Sequence, residues 1–149
     1  SYIRTEFAEG KRMTFNYDVP GDDFTRAGEA SADLKKKMKK LGFPRDVIRR
    51  VSIALYEGEI NMVIHADGGH ITADVDQKEI NLTLADIGPG IPDIEKAMQD
   101  GFSTATDQVR NLGFGAGMGL PNMKRNSDEI SIDTELGVGT TVRMKIINH

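Results

Sequence analysis

Apolar and polar residues alternate over residues 13–19, Met-Thr-Phe-Asn-Tyr-Asp-Val, with the two-residue period of a half-buried strand. Pro20-Gly21 ends that run. Asp22 or Asp23 is placed to cap a helix reaching about Leu41, and Gly42 stops it. Pro44 suits a first helical turn. Val47, Val51, Leu55 and Met62 then recur at helical spacing, with Gly58 in the same series, which predicts a long helix from about Pro44 to Ala66. Asp67-Gly68-Gly69 reads as a turn, and residues 70–76 and 79–86 read as the strands of a hairpin. A short helix is expected over 93–99 and another from near Pro121 to Asn126. Two last strands, about 129–135 and 140–147, flank the turn Leu136-Gly137-Val138-Gly139. Residues 100–116 carry no sustained apolar period and are expected to form a mobile loop.

That order predicts an α+β fold, a two-layer α/β sandwich in which helices cover one face of a mixed or antiparallel sheet. No repeat or linker interrupts it, so residues 1–149 are expected to form a single domain with 1–12 as an N-terminal extension.

Composition narrows the chemistry. The 19 basic and 23 acidic residues give a net charge of −4, which argues against broad nucleic-acid binding. The absence of cysteine excludes disulfides, thiolate metal sites and cysteine nucleophiles. Three scattered histidines, His65, His70 and His149, make a poor metal cage. No apolar run approaches the roughly 20 residues that span a bilayer. Ser1-Tyr2-Ile3-Arg4 does not read as a secretory leader, and the missing initiator Met fits a trimmed chain. A cytoplasmic protein is expected. Lys35, Lys36, Lys37, Lys39 and Lys40 crowd the first helix, either as a solvated face or as a docking surface for an acidic partner.

Three polar constellations carry candidate chemistry. Glu57 and Asn61 lie four residues apart inside an apolar helix, so their side chains sit roughly 40° apart on one face, with Glu59 about 160° from Glu57. A carboxylate beside an amide oxygen suits Mg²⁺, which takes one or two protein oxygens and completes its shell with phosphates and water. The carboxylate could equally polarise an attacking hydroxyl or water, or the two could be a solvated polar pair. Asp86-Ile87-Gly88-Pro89-Gly90 follows an apolar strand. There the carboxylate could accept from an exocyclic amine while glycines admit a flat ring, or the segment is a tight turn. Gly115-Ala116-Gly117-Met118-Gly119-Leu120-Pro121 opens a helix with small residues that expose backbone N–H groups, a cradle for polyphosphate or a flexible linker. No Gly-Lys-Ser/Thr follows, so it is not a P-loop.

In this order the three boxes resemble the GHKL ATP-binding fold of gyrases, heat-shock chaperones, histidine kinases and mismatch-repair proteins. Glu57-x-x-x-Asn61 with His65-Ala66 is similar to that family's N-box, Asp86-x-Gly88-x-Gly90 to its G1 box, and Gly115-x-Gly117-x-Gly119-Leu120 to its G2 box. Gly139-Thr140-Thr141 resembles the motif of its closing strand, and the resemblance spans about residues 13–147. The small size, Gly101-Phe102-Ser103-Thr104-Ala105, and Gly119-Leu120-Pro121 followed by Lys124-Arg125 resemble the bacterial anti-sigma-factor and switch-protein serine kinases. Glu59 and Ile60 stand where that group usually has small residues, and Ile87 replaces a common polar residue.

The resemblance implies ATP and Mg²⁺. Asn61 would hold Mg²⁺ against the phosphates, and Glu57 would be the general base for a substrate hydroxyl. Asp86 would read the adenine amino group, with Gly88 and Gly90 in the box beneath the ring and Thr140 assisting through its hydroxyl or a water. Gly115, Gly117, Met118, Gly119 and Leu120 would offer backbone N–H groups to the phosphates, and residues 100–116 would be the ATP lid. His65 would lie near the site, either facing it or held by a structural hydrogen bond. The implied function is a protein serine/threonine kinase acting on a STAS-like antagonist, with a sigma factor as a further candidate partner and a homodimer as a candidate assembly. The alternatives are a nucleotide-dependent binding switch with little phosphotransfer, and a detached histidine-kinase catalytic domain. Glu57 weighs against the last, since histidine kinases often carry Asn there.

Overall fold

The computed structural model describes residues 11–21, 23–99 and 119–149. Its elements are β1 (Met13–Pro20), α1 (Glu29–Leu41), α2 (Arg45–Ile64), β2 (Gly68–Val75), β3 (Glu79–Asp86), α3 (Ile94–Ala97), α4 (Gly119–Arg125), β4 (Glu129–Glu135) and β5 (Gly139–Ile147). The strands form one five-stranded sheet in the order β1-β2-β3-β5-β4. All four pairings are antiparallel, so of the two sheet types the pattern allowed, the antiparallel one is found.

Register follows from the alternation. Tyr17 lies opposite Ile71, Ile71 opposite Leu84, Leu84 opposite Val142, and Val142 opposite Ile132. The next row is Phe15, Ala73, Leu82, Met144 and Ile130. These rows share one face of the sheet, and a one-residue slip of any strand would turn its apolar set to solvent. Residues between them, such as Thr72, Asn81, Thr83 and Arg143, face the other way. The helices cover the apolar rows with Leu34, Met38, Val51, Leu55, Val63 and Met123, all nearly fully buried. This is the two-layer α+β arrangement that the element order implies.

Two local expectations are corrected. The first helix does not start at Asp22 or Asp23. Asp22 lies outside the described residues, and the Asp23 side chain accepts from Thr25 within a turn. The N-cap is Gly28, in the left-handed region at φ 98°, with no side-chain cap of its own. The acceptors come from another helix. Glu59 Oε2 accepts from the Ala30 N–H at 3.0 Å and Glu59 Oε1 from the Ser31 N–H at 3.1 Å. The second correction concerns Gly68 and Gly69, which are the first residues of β2 rather than a free turn. A Cβ on Gly68 would lie 2.1 Å from the Val19 carbonyl oxygen, so only glycine lets the strand begin this close to β1.

The lysine run also divides. Lys37 is half-buried, paired with Asp33, and sits 5.1 Å from the Phe15 ring centre and 5.8 Å from that of Tyr17. The Tyr17 hydroxyl donates to the same Asp33 carboxylate at 2.8 Å. Burial, then the Asp33 bond, pushes the Tyr17 phenol well above its usual value, so it stays a donor. This cluster fastens α1 to β1. Lys35, Lys36, Lys39 and Lys40 remain on the exposed side.

Candidate functional site

Helix α2 organises the site along one edge. Its apolar stripe packs on the sheet, and Gly58 makes close approach feasible: a Cβ there would lie 2.3 Å from Leu84 Cδ2 and 3.3 Å from Met123 Sδ. The two residues singled out on its polar face both point to α4. The Glu57 carboxylate accepts through Oε1 from Asn122 Nδ2 at 3.3 Å. Asn61 lies against the first residue of α4, where a Cβ on Gly119 would sit 2.7 Å from Nδ2 and 2.9 Å from Oδ1. Glu59 faces the other way, into α1, as the helical angle requires.

At the C-terminal end of α2 the Asp86–Gly90 constellation comes in. A Cβ on Gly88 would lie 2.9 Å from the Ala66 Cβ, so the loop after β3 rests on the end of the helix. Asp86 closes β3, and its Oδ1 accepts from the Thr140 N–H of β5 at 2.8 Å. Thr140's hydroxyl lies 3.0 Å from that of Thr134, and Thr134 Oγ1 accepts from the Ile91 N–H at 2.8 Å. The Thr140 contact with Asp86 is therefore made by the backbone, while its hydroxyl turns to β4. Gly90, at φ 81°, is needed by the protein itself, since a Cβ there would lie 2.8 Å from the Glu135 carbonyl oxygen. The loop and the β4–β5 turn are tied by Gly88 N–H to Val138 O at 3.1 Å and Gly137 N–H to Pro89 O at 2.9 Å.

The chemistry is thus laid out in a line. Gly88 stands beside Ala66, Gly119 beside Asn61, and Asn122 beside Glu57. Glu57 and the helix C-cap His65 are about 12 Å apart along the axis at 1.5 Å per residue. One end presents the Asp86 carboxylate and the other the Glu57 carboxylate. Leu120 is buried in the first turn of α4, beside Gly119. Gly115, Gly117 and Met118, with the expected lid over 100–116, lie outside the described residues.

Burial raises the pKa of both carboxylates. For Glu57 desolvation outweighs the Asn122 donor, and for Asp86 it outweighs the Thr140 N–H. A raised carboxylate is a stronger proton acceptor once ionised, which suits a base. Burial lowers the His65 imidazole below its usual value, so the ring favours the neutral form. Among the described residues no three histidine or acidic side chains converge to cage a metal. A cation at Asn61 would therefore rest on the amide oxygen with phosphate and water oxygens, the ligation Mg²⁺ accepts.

Sequence reasoning had placed Glu59 only by angle, and had not singled out Asn122 or Thr134. Asn122 could have been found as a polar residue one turn into a helix whose neighbours Leu120, Pro121 and Met123 are buried. Thr134 carries no signal of its own, because its role depends on register with Thr140.

Comparison with known proteins gives a consistent result. The profile of the histidine kinase-like ATPase domain matches residues 22–146. The chain is 38% identical over 109 residues to the serine/threonine-protein kinase RsbT of Bacillus subtilis, covering 70% of this chain and 76% of that one. It is 35% identical over 102 residues to the anti-sigma F factor of Caldanaerobacter subterraneus subsp. tengcongensis, covering 65% and 68%. The fold is similar to the crystal structure of the RsbU and RsbW domains of Rv1364c from Mycobacterium tuberculosis, with a TM-score of 0.60 and 14% identity over 93% of this chain and 33% of that one.

Proposed function

Because the chain belongs to the histidine kinase-like ATPase domain family, we propose that it is an ATP-dependent protein serine/threonine kinase of the anti-sigma regulatory type. The observation that carries this reading is Glu57: a half-buried carboxylate of raised pKa, held among the described residues by the Asn122 amide, about two turns along α2 from the helix end beside Asp86. A binding module needs no such base. The relatives named as a serine/threonine-protein kinase and as an anti-sigma factor support the same class.

Asp86 accepts from the adenine amine through its outer oxygen, while Thr140 holds Oδ1. Gly88 and Gly90 shape the loop beneath the base. Gly119 and Leu120 present backbone N–H groups to the phosphates, extended by Gly115, Gly117 and Met118, with 100–116 as the lid. Asn61 would supply the protein oxygen for Mg²⁺, which would offset the charge of the phosphates. Glu57 takes the proton of the acceptor hydroxyl as that oxygen forms its bond to the γ-phosphorus. The bond from that phosphorus to the bridging oxygen breaks, and ADP leaves. The partner is a STAS-like protein antagonist, with a sigma factor as the regulated party, in the cytoplasm. Among the described residues no helix is long and apolar enough to cross a membrane.

The test is capture of partners on the full chain with ATP, then with ADP, followed by mapping of phosphorylated residues on what binds. A serine or threonine phosphate is expected on the partner. Glu57→Ala should lower transfer by about 10²–10⁴-fold, the worth of a positioned base, with ATP affinity by calorimetry little changed. Wild-type protein that captures a partner and transfers nothing would replace this reading with the binding switch.

A further inference from the structure

Asn122 has no part in the boxes that define the site, yet it makes the one hydrogen bond that the Glu57 carboxylate has among the described residues. Its orientation is fixed by chemistry. A carboxylate only accepts and a guanidinium only donates, so Asn122 must turn Nδ2 to Glu57 and Oδ1 to Arg125. Both bonds are found: Nδ2 to Glu57 Oε1 at 3.3 Å and Arg125 Nη1 to Asn122 Oδ1 at 3.2 Å. The backbone is held too, since Asn126 Nδ2 donates to the Asn122 carbonyl at 2.8 Å.

We propose that Asn122 is a positioning residue for phosphotransfer: its carboxamide pins Oε1 of Glu57, leaves Oε2 for the acceptor hydroxyl, and is itself oriented by Arg125. The proposal rests on the reading of Glu57 as the base. A free glutamate explores several rotamers, and most of them aim the carboxylate away from any one hydroxyl. Holding one oxygen removes that freedom and fixes the plane of the group. A neutral amide is the right holder. A lysine or arginine in direct contact would favour the ionised form strongly and weaken Glu57 as a proton acceptor. Interposing Asn122 keeps the Arg125 charge one residue away while still using its geometry. The donor also lowers the Glu57 pKa against the larger effect of burial, so the base stays ionised over a wider pH range.

The test uses the full chain with Asn122→Asp, which keeps the shape, and Asn122→Ala. Aspartate cannot donate when ionised and sets a second negative charge beside Glu57. Two readouts are taken: titration of the Glu57 carboxyl by ¹³C NMR, and the pH profile of phosphate transfer from [γ-³²P]ATP to the captured partner. Both variants should titrate at higher pH than wild type, Asn122→Asp more so. The acid limb of the transfer profile should move the same way, with transfer at neutral pH down by about 10–100-fold, the cost of a misplaced catalytic group. ATP affinity should be unchanged. An unchanged Glu57 titration, or a changed titration with wild-type transfer at high pH, overturns the proposal. Glu57→Gln separates the two readings: if it transfers at the wild-type rate, the base reading falls and the proposal falls with it. If Glu57→Gln is inactive while both Asn122 variants behave as wild type, only the proposal falls.

Discussion

Replacing Glu59 by alanine removes both acceptors at the N-terminus of α1. The Ala30 and Ser31 N–H groups that they serve belong to residues only 4% and 7% exposed, and Glu59 itself is 2% exposed. Water has little access, and Gly28 has no side chain to substitute. Each orphaned donor costs about 1–3 kcal/mol. The loss is partly offset because the variant no longer buries a carboxylate. A net destabilisation of about 2–4 kcal/mol is expected, out of the roughly 5–15 kcal/mol typical of a domain. Glu59→Gln should fall between, since one amide oxygen still accepts while the NH₂ group faces a second donor. Urea unfolding at pH 7 reads this directly. With m of about 2 kcal/mol per M, the midpoint should drop by about 1–2 M at unchanged m. Stability of Glu59→Ala within about 0.5 kcal/mol of wild type, the range of a neutral surface change, would refute the remote-cap account.

Asp86→Asn should weaken ATP more than a nucleotide lacking the exocyclic amine, because an amide can present NH₂ where a carboxylate only accepts; equal losses by calorimetry would remove the base-reading role. Asn61→Ala should weaken Mg²⁺-dependent nucleotide binding while leaving the melting temperature without nucleotide unchanged, whereas a clear fall would make Asn61 a packing residue against Gly119. Glu57→Gln should raise the melting temperature at pH 7. Burial raises the folded-state pKa of Glu57, so its favourable contribution is complete below the ordinary value of 4.5 and is lost as pH rises through the raised one. The gain of the glutamine variant should therefore shrink as pH falls below that ordinary value, and a gain that persists in acid would contradict it.

The sheet and the long helix were legible because their signals are local. Alternation in 13–19 and 79–86 and the stripe Val47, Val51, Leu55 record which face each residue buries, and burial is what the structure preserves. The start of α1 was not legible because its cap lies 28–29 residues away on α2. Rules for helix starts look for a neighbouring Ser, Thr, Asp or Asn, and Asp23 satisfied them without doing the job. In the site, the spacing Glu57 to Asn61 told which way both would face, and α4 stands where that face points. Their partners were another matter. Asn122 and Thr134 gain meaning only when α4 meets α2 and β4 meets β5. Gly90 was expected to make room for a ring, yet it first makes room for the Glu135 carbonyl.

The pairing of β1 has a consequence for how the chain is made. Pro20 lies opposite Gly68 and Met13 opposite Val75, so β1 waits for roughly fifty further residues before its partner exists. At ribosomal speeds of about 5–20 residues per second that delay is about 3–10 s. For that time Phe15 and Tyr17 form the apolar face of a strand with no sheet to join, the kind of edge that recruits neighbouring chains. Lys11 and Arg12 just before it and Asp18 within it are charges placed where such a strand most needs them. The β2–β3 and β4–β5 hairpins close over short turns and face no such delay. Conditions that crowd nascent chains would therefore cost yield through β1, long before any nucleotide is bound.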